Sequence, residues 1–216
     1  MRRGTSIAAG IIWAAVVVVI VAAAAGLTWW LAGREHTATA GTASPAPATR
    51  PHAASGRDYY LIVRLVEFTP RTPSGRAWDT DGSAPDARVH IEWRGNRVFS
   101  LPPRDNALIA AWDLFKISIN PQDLLKLKDM NFDPTSAING PIVTAGPGET
   151  VTIEVRDDDP VSYDLALRMT VRLSDLREGA NDIPVPPNSG VRRLRIDLLP
   201  RDMPLDELLR RQIEGK

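Results

Sequence analysis

The sequence contains no cysteine among its 216 residues. This absence excludes disulfide bonds, thiolate metal sites and a cysteine nucleophile. It leaves the redox compartment open, because a domain of this size can bury enough apolar surface to fold without covalent cross-links.

Catalytic side chains and motifs are also scarce. The chain has three histidines, and the only one after Arg57 is His90, on the polar face of a predicted strand. There is no G-x-S-x-G motif, and Gly146-Pro-Gly148 is too short for a phosphate loop. These absences predict a binding protein and not an enzyme.

The chain has no excess of charge of either sign, with 26 basic and 26 acidic side chains. Four of the basic and one of the acidic side chains precede Arg57, so the remainder carries 22 basic and 25 acidic groups. Nucleic-acid binding needs a basic surface. The composition therefore predicts no nucleic-acid partner.

Long apolar runs are confined to one segment near the N-terminus. Residues 7–32 are uncharged and longer than the about 20 residues that cross a bilayer as a helix. Arg2 and Arg3 precede this segment, which favours a cytoplasmic N-terminus over residues 1–6. We expect a single-pass signal anchor in the cell membrane with an extracytoplasmic domain; the alternative is a signal peptide cleaved after Ala22–Ala25.

The rest of the chain divides into a linker, a β-rich domain and a terminal helix. Residues 33–56 are rich in Ala, Thr and Pro and predict a flexible linker. Residues 57–200 contain about eight short alternating segments separated by turn signals. Residues 201–216 have the apolar stripe of a short amphipathic helix. The predicted fold is all-β, an antiparallel eight-stranded β-sandwich between a transmembrane helix and a C-terminal helix.

Individual segments carry this prediction. Residues 89–93 alternate apolar and polar side chains, and Arg94-Gly-Asn-Arg97 predicts a hairpin turn after them. Alternation recurs over 165–173 and 191–198, while Gly179-Ala-Asn-Asp182 reads as a turn. A short helix is expected over 120–130, where Asn120-Pro121 supplies a cap and a first turn.

Two acidic loops adjoin predicted strands. Calcium takes six to eight oxygen ligands, many of them carboxylates, so one loop rarely suffices. The alternative is ordinary turn chemistry, since Asp caps backbone amides and Asp81-Gly82 is a common turn dipeptide. If the loops meet at one end of the sandwich, six aspartates could bind calcium: Asp79, Asp81, Asp86, Asp157, Asp159 and Asp164.

The acidic loop at 81–89, the segment Val155-Arg-Asp-Asp-Asp-Pro160 and Asp164 together resemble the C2 domain, here in a bacterial-type, membrane-anchored form. The resemblance implies a β-sandwich that binds calcium and phospholipid. It implies that Asp86 is the aspartate before a strand, that Asp157, Asp159 and Asp164 are ligands of the later loop, and that Asp79 or Asp81 completes the early loop. Candidate lipid contacts at the loop tips are Trp78, Val161 and Tyr163.

The predicted function is therefore a membrane-tethered, extracytoplasmic binding module with calcium as its possible cofactor and a phospholipid or protein as its partner. A second hypothesis is a metal-free structural or protein-interaction sandwich. A hydrolase using paired carboxylates is the third. Calcium titration separates the first hypothesis from the second.

Overall fold

The computed structural model describes residues 50–116, 133–159 and 162–214. All of these lie in one compact unit, Thr49–Lys216. Within them, nine strands and one α-helix follow in chain order: β1 Asp58–Phe68, β2 Ala87–Trp93, β3 Asn96–Ser100, β4 Ile109–Ala111, β5 Ile142–Thr144, β6 Thr150–Asp158, β7 Tyr163–Arg172, β8 Gly179–Ile183, β9 Val191–Pro200 and α1 Leu205–Glu214.

The strands form two antiparallel sheets. The first sheet has the order β4-β1-β9-β8, with β5 also paired to β1, and the second has the order β3-β2-β6-β7. Apolar side chains of both sheets, such as Val63, Ile91, Ile153 and Ile196, are fully buried in one shared cluster. The predicted all-β antiparallel sandwich is thus confirmed, with this cluster as its main core.

Strand β1 is buried on both faces. Tyr59, Leu61 and Val63 enter the main core, whereas Tyr60 and Ile62 enter a second apolar cluster outside the first sheet. The residues Tyr-Tyr-Leu-Ile-Val are therefore all apolar or aromatic without alternation, as is typical of a strand covered on both sides. A register shift follows Val63, so that Val66 and not Leu65 reaches the main core.

The second cluster explains the position of α1. Leu208 of this helix is fully buried in the cluster with Leu114, Ile138 and Leu199. The side chain of Gln212 accepts a hydrogen bond from the backbone N–H of Leu114 at 2.7 Å and donates one to Asp113 at 2.8 Å. The predicted C-terminal helix is confirmed over a shorter range, and it covers the outer face of the first sheet.

The β2–β3 hairpin turns at the predicted place. Arg94 and Gly95 have φ values of 52° and 78°. Two consecutive positive φ angles are the geometry of the two-residue turn that suits the twist of antiparallel strands. Glycine adopts this conformation without strain, and it occupies the second of the two positions.

The strand count differs from the prediction of eight. β8 covers residues that the sequence assigned to a turn, because Gly179–Ile183 pairs with β9 although it lacks an alternating apolar pattern. β5 has only three residues and forms by pairing with β1. Within the described residues, Phe115 makes an isolated bridge with Ile138 and is not part of a strand. Tertiary pairing, and not local preference, selects these short strands.

The segments before the sandwich fall partly outside the described residues. The predicted anchor at 7–32 lies entirely outside the described residues. So does the predicted helix at 120–130, which falls between β4 and β5. In the part of the chain that the structure describes, no helix has the length and apolar character needed to span a bilayer. Residues 50–56, assigned to the linker, are bonded to the sandwich: Ala53 donates to the Leu176 carbonyl at 3.0 Å, and Glu178 donates to the Pro51 carbonyl at 2.8 Å.

Candidate cation site

The two acidic loops lie at the same end of the sandwich. The first connects β1 to β2 and the second connects β6 to β7. Because β2 and β6 are neighbouring antiparallel strands, Ala87 at the start of β2 is paired with Asp157 near the end of β6. The backbone N–H of Asp158 also donates to the carbonyl of Asp86 at 3.1 Å. The sheet register therefore brings the loops together.

Three carboxylates form a cluster between these loops. One oxygen each from Asp79, Asp157 and Asp159 lies within 4.8 Å of the others. Asp157 and Asp159 are separated by one residue near the end of an extended strand, so their side chains point to the same side. Asp158 points to the other side, where its carboxylate pairs with Arg88 at 3.1 Å. Hard cations bind to oxygen clusters of this kind.

Asp157 is the buried member of the cluster, with no exposed surface. Its Oδ1 accepts a hydrogen bond from the backbone N–H of Asp86 at 2.7 Å. Its Oδ2 is buried and has no hydrogen-bond partner within the described residues. Burial raises the pKa of Asp157 to about 6, and the charges of Asp79, Asp159 and Asp86 add to this shift. An uncompensated carboxylate at this depth is costly, which favours a positive ligand.

The two other members are bonded to neighbouring groups. A hydrogen bond with Asp79, together with burial and the charges around it, raises the pKa of the Asp159 carboxyl. Asp79 Oδ2 accepts a hydrogen bond from the hydroxyl of Ser83 at 2.7 Å. The repulsion between these carboxylates is what a bound cation would relieve.

The remaining predicted ligands lie outside this cluster. Asp81 is exposed, and its Oδ1 accepts a hydrogen bond from the backbone N–H of Ser83 at 2.9 Å, which is turn capping. The same oxygen lies 2.6 Å from the Ser83 hydroxyl, whose one proton it shares with Asp79. Asp86 accepts from the backbone N–H of Asn106 at 2.8 Å. Asp164 faces Arg76, with an N–O distance of 3.6 Å. Asp86 is adjacent to the cluster, because its charge raises the pKa of Asp157.

A cleft of about 710 Å³ opens beside the cluster. Asp79, Asp159 and Asp164 contribute carboxylates to its lining, which also includes Arg76 and Tyr163. Asp79 and Asp159, unlike Asp157, retain exposed surface. An ion from solvent can therefore reach the buried carboxylate through the two outer ones.

The candidate lipid contacts have different environments. Trp78 is only 4% exposed, donates its indole N–H to the Thr69 carbonyl at 2.8 Å and packs edge-on against Phe68. It therefore packs the base of the loop, contrary to the predicted position at a tip. Tyr163 is 52% exposed and stacks on the guanidinium of Arg156. Val161 lies outside the described residues.

A third loop at this end of the sandwich, residues 101–108 between β3 and β4, contributes residues that the sequence did not indicate. Asn106 has a φ of 51°, which asparagine tolerates better than most residues. Its backbone N–H binds Asp86, and its Oδ1 accepts from the backbone N–H of Ala84 at 2.9 Å. Leu108 and Ile109 follow it and are 40% and 61% exposed. The Asp105-Asn106 pair was a turn signal, but nothing in the sequence revealed that the next apolar residues face solvent.

His90 lies on the outer face of the second sheet. Its Nδ1 is 2.8 Å from the Ser100 hydroxyl. Burial, with the positive charges of Arg97 and Arg156, lowers the pKa of this imidazole. The expectation that the protein is not an enzyme stays a prediction.

The fold and the site define a two-sheet antiparallel sandwich with a carboxylate cluster at one end. No family profile and no curated protein matches the sequence. Among solved structures, the chain is similar to one described as a C2 domain, with a TM-score of 0.40 and 12% identity over 66% of this chain and 98% of that one.

Two further solved structures show the same kind of similarity. Human GIVD cytosolic phospholipase A2, solved with an inhibitor and terbium chloride, has a TM-score of 0.41 and 9% identity over 69% of this chain and 18% of that one. The C2 domains of Extended-Synaptotagmin 2 have a TM-score of 0.41 and 16% identity over 77% of this chain and 49% of that one. Two of these three neighbours are described as C2 domains, the family that the sequence resembles. The functional proposals rest on the residues of this chain alone.

Proposed function

We propose that this chain is a calcium-binding module whose ligands are Asp79, Asp157 and Asp159. The observation that carries the proposal is the buried, unpartnered Oδ2 of Asp157, which lies in a cluster with two further carboxylates. Folding alone gives no reason to bury a carboxylate beside two others, because both desolvation and repulsion oppose it. A divalent cation removes both costs.

Calcium suits this donor set better than other common cations. All the donors are carboxylate oxygens, which excludes the thiolate and imidazole sites that zinc prefers. Three carboxylates can supply up to six oxygens when they bind in bidentate fashion, and water from the cleft can complete the shell. Asp86 and Asp164, which lie nearby, add negative charge and increase the local attraction for cations.

We propose further that the cation-loaded end engages a phospholipid surface. Exposed apolar side chains of Leu108, Ile109 and Tyr163 support this proposal. The hydrogen bonds of Asn106 to Asp86 and of Phe68 to the Leu108 carbonyl keep the third loop at the acidic end. Cation binding neutralises the aspartates, which otherwise repel anionic headgroups. The apolar run at 7–32 is proposed to tether the module to the cell membrane, with the module on the extracytoplasmic side.

Calcium titration of the fragment Thr49–Lys216 tests this function. Every residue of the two described apolar clusters belongs to this fragment, so we expect it to fold without the preceding residues. We expect calcium to raise its melting temperature relative to EDTA and to release or absorb heat on binding.

Asp157→Asn removes the buried charge, and Asp158→Asn removes the neighbouring charge that points away from the cluster. Loss of the calcium response in the first variant and its retention in the second would support the site. Absence of both heat and melting shift at millimolar calcium in the wild type would refute the proposal and favour a metal-free interaction domain.

A further inference from the structure

A second cleft, of about 850 Å³, lies along the side of the sandwich where both sheets end. β7 is the last strand of the second sheet and β8 the last strand of the first. Residues of both strands line the cleft, together with the 3₁₀ turn Leu173–Asp175 that connects them. β7 begins at the acidic loop, and the lining starts only at Met169 in its later half. The cleft is therefore distant from the carboxylate cluster.

The charged groups in this cleft are mainly arginines. Arg50, Arg172, Arg177 and Arg195 line it, against two aspartates, Asp175 and Asp182.

Asp182 is already neutralised by arginines. Its carboxylate accepts two hydrogen bonds from Arg195, both at 3.0 Å, and one from Arg193 at 3.2 Å. These bonds lower the pKa of Asp182, so the group stays ionised and paired. The charged groups that remain in the lining are three arginines and Asp175, so the charge left in the cleft is positive.

Two of the arginines make no ion pair within the described residues. Within the described residues, the guanidinium groups of Arg172 and Arg177 make no ion pair or hydrogen bond, and both side chains are exposed. Arg50 is held in place because its guanidinium donates to the Ala180 carbonyl at 2.5 Å. Like charges that line one partly enclosed cleft repel one another, and an anion relieves that repulsion. The planar guanidinium fork matches phosphate oxygens in particular.

The rest of the cleft's lining is mostly apolar, apart from Thr170 and Asn181. Met169, Val171, Leu176 and Ile183 contribute to its lining. Sites for organic ligands combine such an apolar wall with a few convergent polar groups. The cleft thus offers contacts for both a phosphate and the organic group attached to it.

We propose that this arginine cleft, defined by Arg50, Arg172, Arg177 and Arg195, binds an organic phosphate. The same chemistry is present in a soluble phosphate ester and in the headgroup of an anionic lipid. Because the cleft and the acidic cluster are distant from each other, both sites can be occupied in one molecule. The proposal does not depend on calcium binding, and each site can fail its test without affecting the other.

The test compares phosphate binding by two double variants of the fragment Thr49–Lys216. Arg172→Gln with Arg177→Gln removes the two unpaired charges of the cleft. Arg71→Gln with Arg97→Gln removes two exposed charges elsewhere and serves as the control with the same change of net charge. Calorimetric titrations use inorganic phosphate and glycerol phosphate in EDTA at low salt, and a cooperative melt of each variant shows that it is folded.

We expect the cleft variant to bind phosphate at least about tenfold more weakly, and the control to bind within about twofold of the wild type, as loss of charge-assisted hydrogen bonds predicts. Co-sedimentation with phosphatidylglycerol and with phosphatidylcholine vesicles, also in EDTA, distinguishes the sources. A matching loss on phosphatidylglycerol identifies a lipid headgroup, and an unchanged vesicle signal identifies a soluble ester. Equal phosphate binding by the two double variants, or no binding by the wild type, would overturn the proposal.

Discussion

The backbone N–H of Asp86 donates a hydrogen bond to Oδ1 of Asp157 at 2.7 Å, which joins the two acidic loops across 71 positions of sequence. This bond fixes the orientation of the Asp157 carboxylate. The other carboxylate oxygen, Oδ2, is buried and has no hydrogen-bond partner within the described residues. The carboxylate cluster is therefore held in place by the main chain before any ion arrives. Such preorganisation reduces the cost of ordering ligands when a cation binds.

The charge of Asp157 should destabilise the cation-free protein. Asn at this position keeps the oxygen that accepts from Asp86 but removes a buried charge beside two others. We expect Asp157→Asn to raise the free energy of unfolding in EDTA at pH 7 by on the order of 2 kcal/mol. Denaturant melts measure this change. Asp158→Asn, which loses only a partly exposed pair with Arg88, should change stability by less than about 1 kcal/mol.

The stability difference between wild type and Asp157→Asn should depend on pH. The pKa of Asp157 is about 6 in the folded protein and near its ordinary value of 3.8 in the unfolded chain. The folded state therefore binds more protons between these values, and this group favours folding increasingly as the pH falls through 6. In EDTA, the advantage of Asp157→Asn should be present at pH 7 and shrink toward pH 5. A difference that stays constant across this range would contradict the assignment.

Arg76 should compete with cations for the carboxylate cluster, because it lines the cleft beside that cluster. Its guanidinium is 3.6 Å from Asp164 and its side chain is 71% exposed, so the ion pair between them is weak. The guanidinium nevertheless places a positive charge beside the carboxylate cluster. We expect Arg76→Gln to tighten calcium binding by about two- to fivefold, the range that an exposed ion pair provides. Calorimetry at fixed ionic strength measures it. Arg172→Gln, at the other end of β7, is the matched loss of charge and should leave calcium affinity unchanged.

Ile109 should contribute to binding of anionic vesicles. It is 61% exposed beside the acidic loops, so Ile109→Ser should alter stability by no more than about 0.5 kcal/mol. The apolar carbons of Ile109 would be buried when the loop contacts a lipid surface, so their removal should weaken calcium-dependent vesicle binding by roughly tenfold. Ile213→Ser provides the control, because Ile213 is 58% exposed on α1. Similar losses for both variants in co-sedimentation would exclude a specific lipid-facing end.

Gly190 should be required for the position of the first acidic loop. A Cβ at this residue would lie 2.5 Å from the Trp78 ring and 3.1 Å from the Ala166 Cα. We expect Gly190→Ala to cost about 1 to 3 kcal/mol and to weaken calcium binding, because Trp78 precedes Asp79. Gly140→Ala creates a clash with the Leu61 carbonyl, remote from the loops. It should destabilise the protein without changing calcium affinity at temperatures where both variants are folded.

Much of the fold followed from local patterns. The alternation in β2 and over Leu194–Leu198 of β9 predicted their inward faces, and Arg94-Gly95 predicted the hairpin, because these signals are contained within a few residues. The alternation predicted for β7 is wrong at its start, where Leu165 is exposed and Ala166 is buried, because the pairing of β6 with β7 shifts register between Val155 and Arg156. β8 could not be predicted, since Gly179–Ile183 is a strand only through its pairing with β9. The burial of β1 on both faces likewise depends on α1, more than a hundred residues later.

The candidate site was only partly predictable. Both acidic loops were identified, but their convergence was only a condition of the calcium hypothesis, and it is the pairing of β2 with β6 that brings them together. Which aspartates would cluster did not follow, because Asp79 and Asp81 lie in one turn and both accept hydrogen bonds from Ser83, yet only Asp79 reaches Asp157 and Asp159. The burial of Trp78 depends on the space left by Gly190, which no feature of the first loop indicates.

The double burial of β1 has a consequence for how the molecule can lose structure. Because one strand supplies side chains to two apolar clusters and is hydrogen-bonded on both edges, neither cluster can come apart while the other keeps its shape. Fraying of the C-terminal helix would uncover Tyr60 and Ile62 and thereby loosen the strand from which the first acidic loop departs. The folding of α1 is in this way coupled to the positions of the clustered aspartates, although the helix is remote from them.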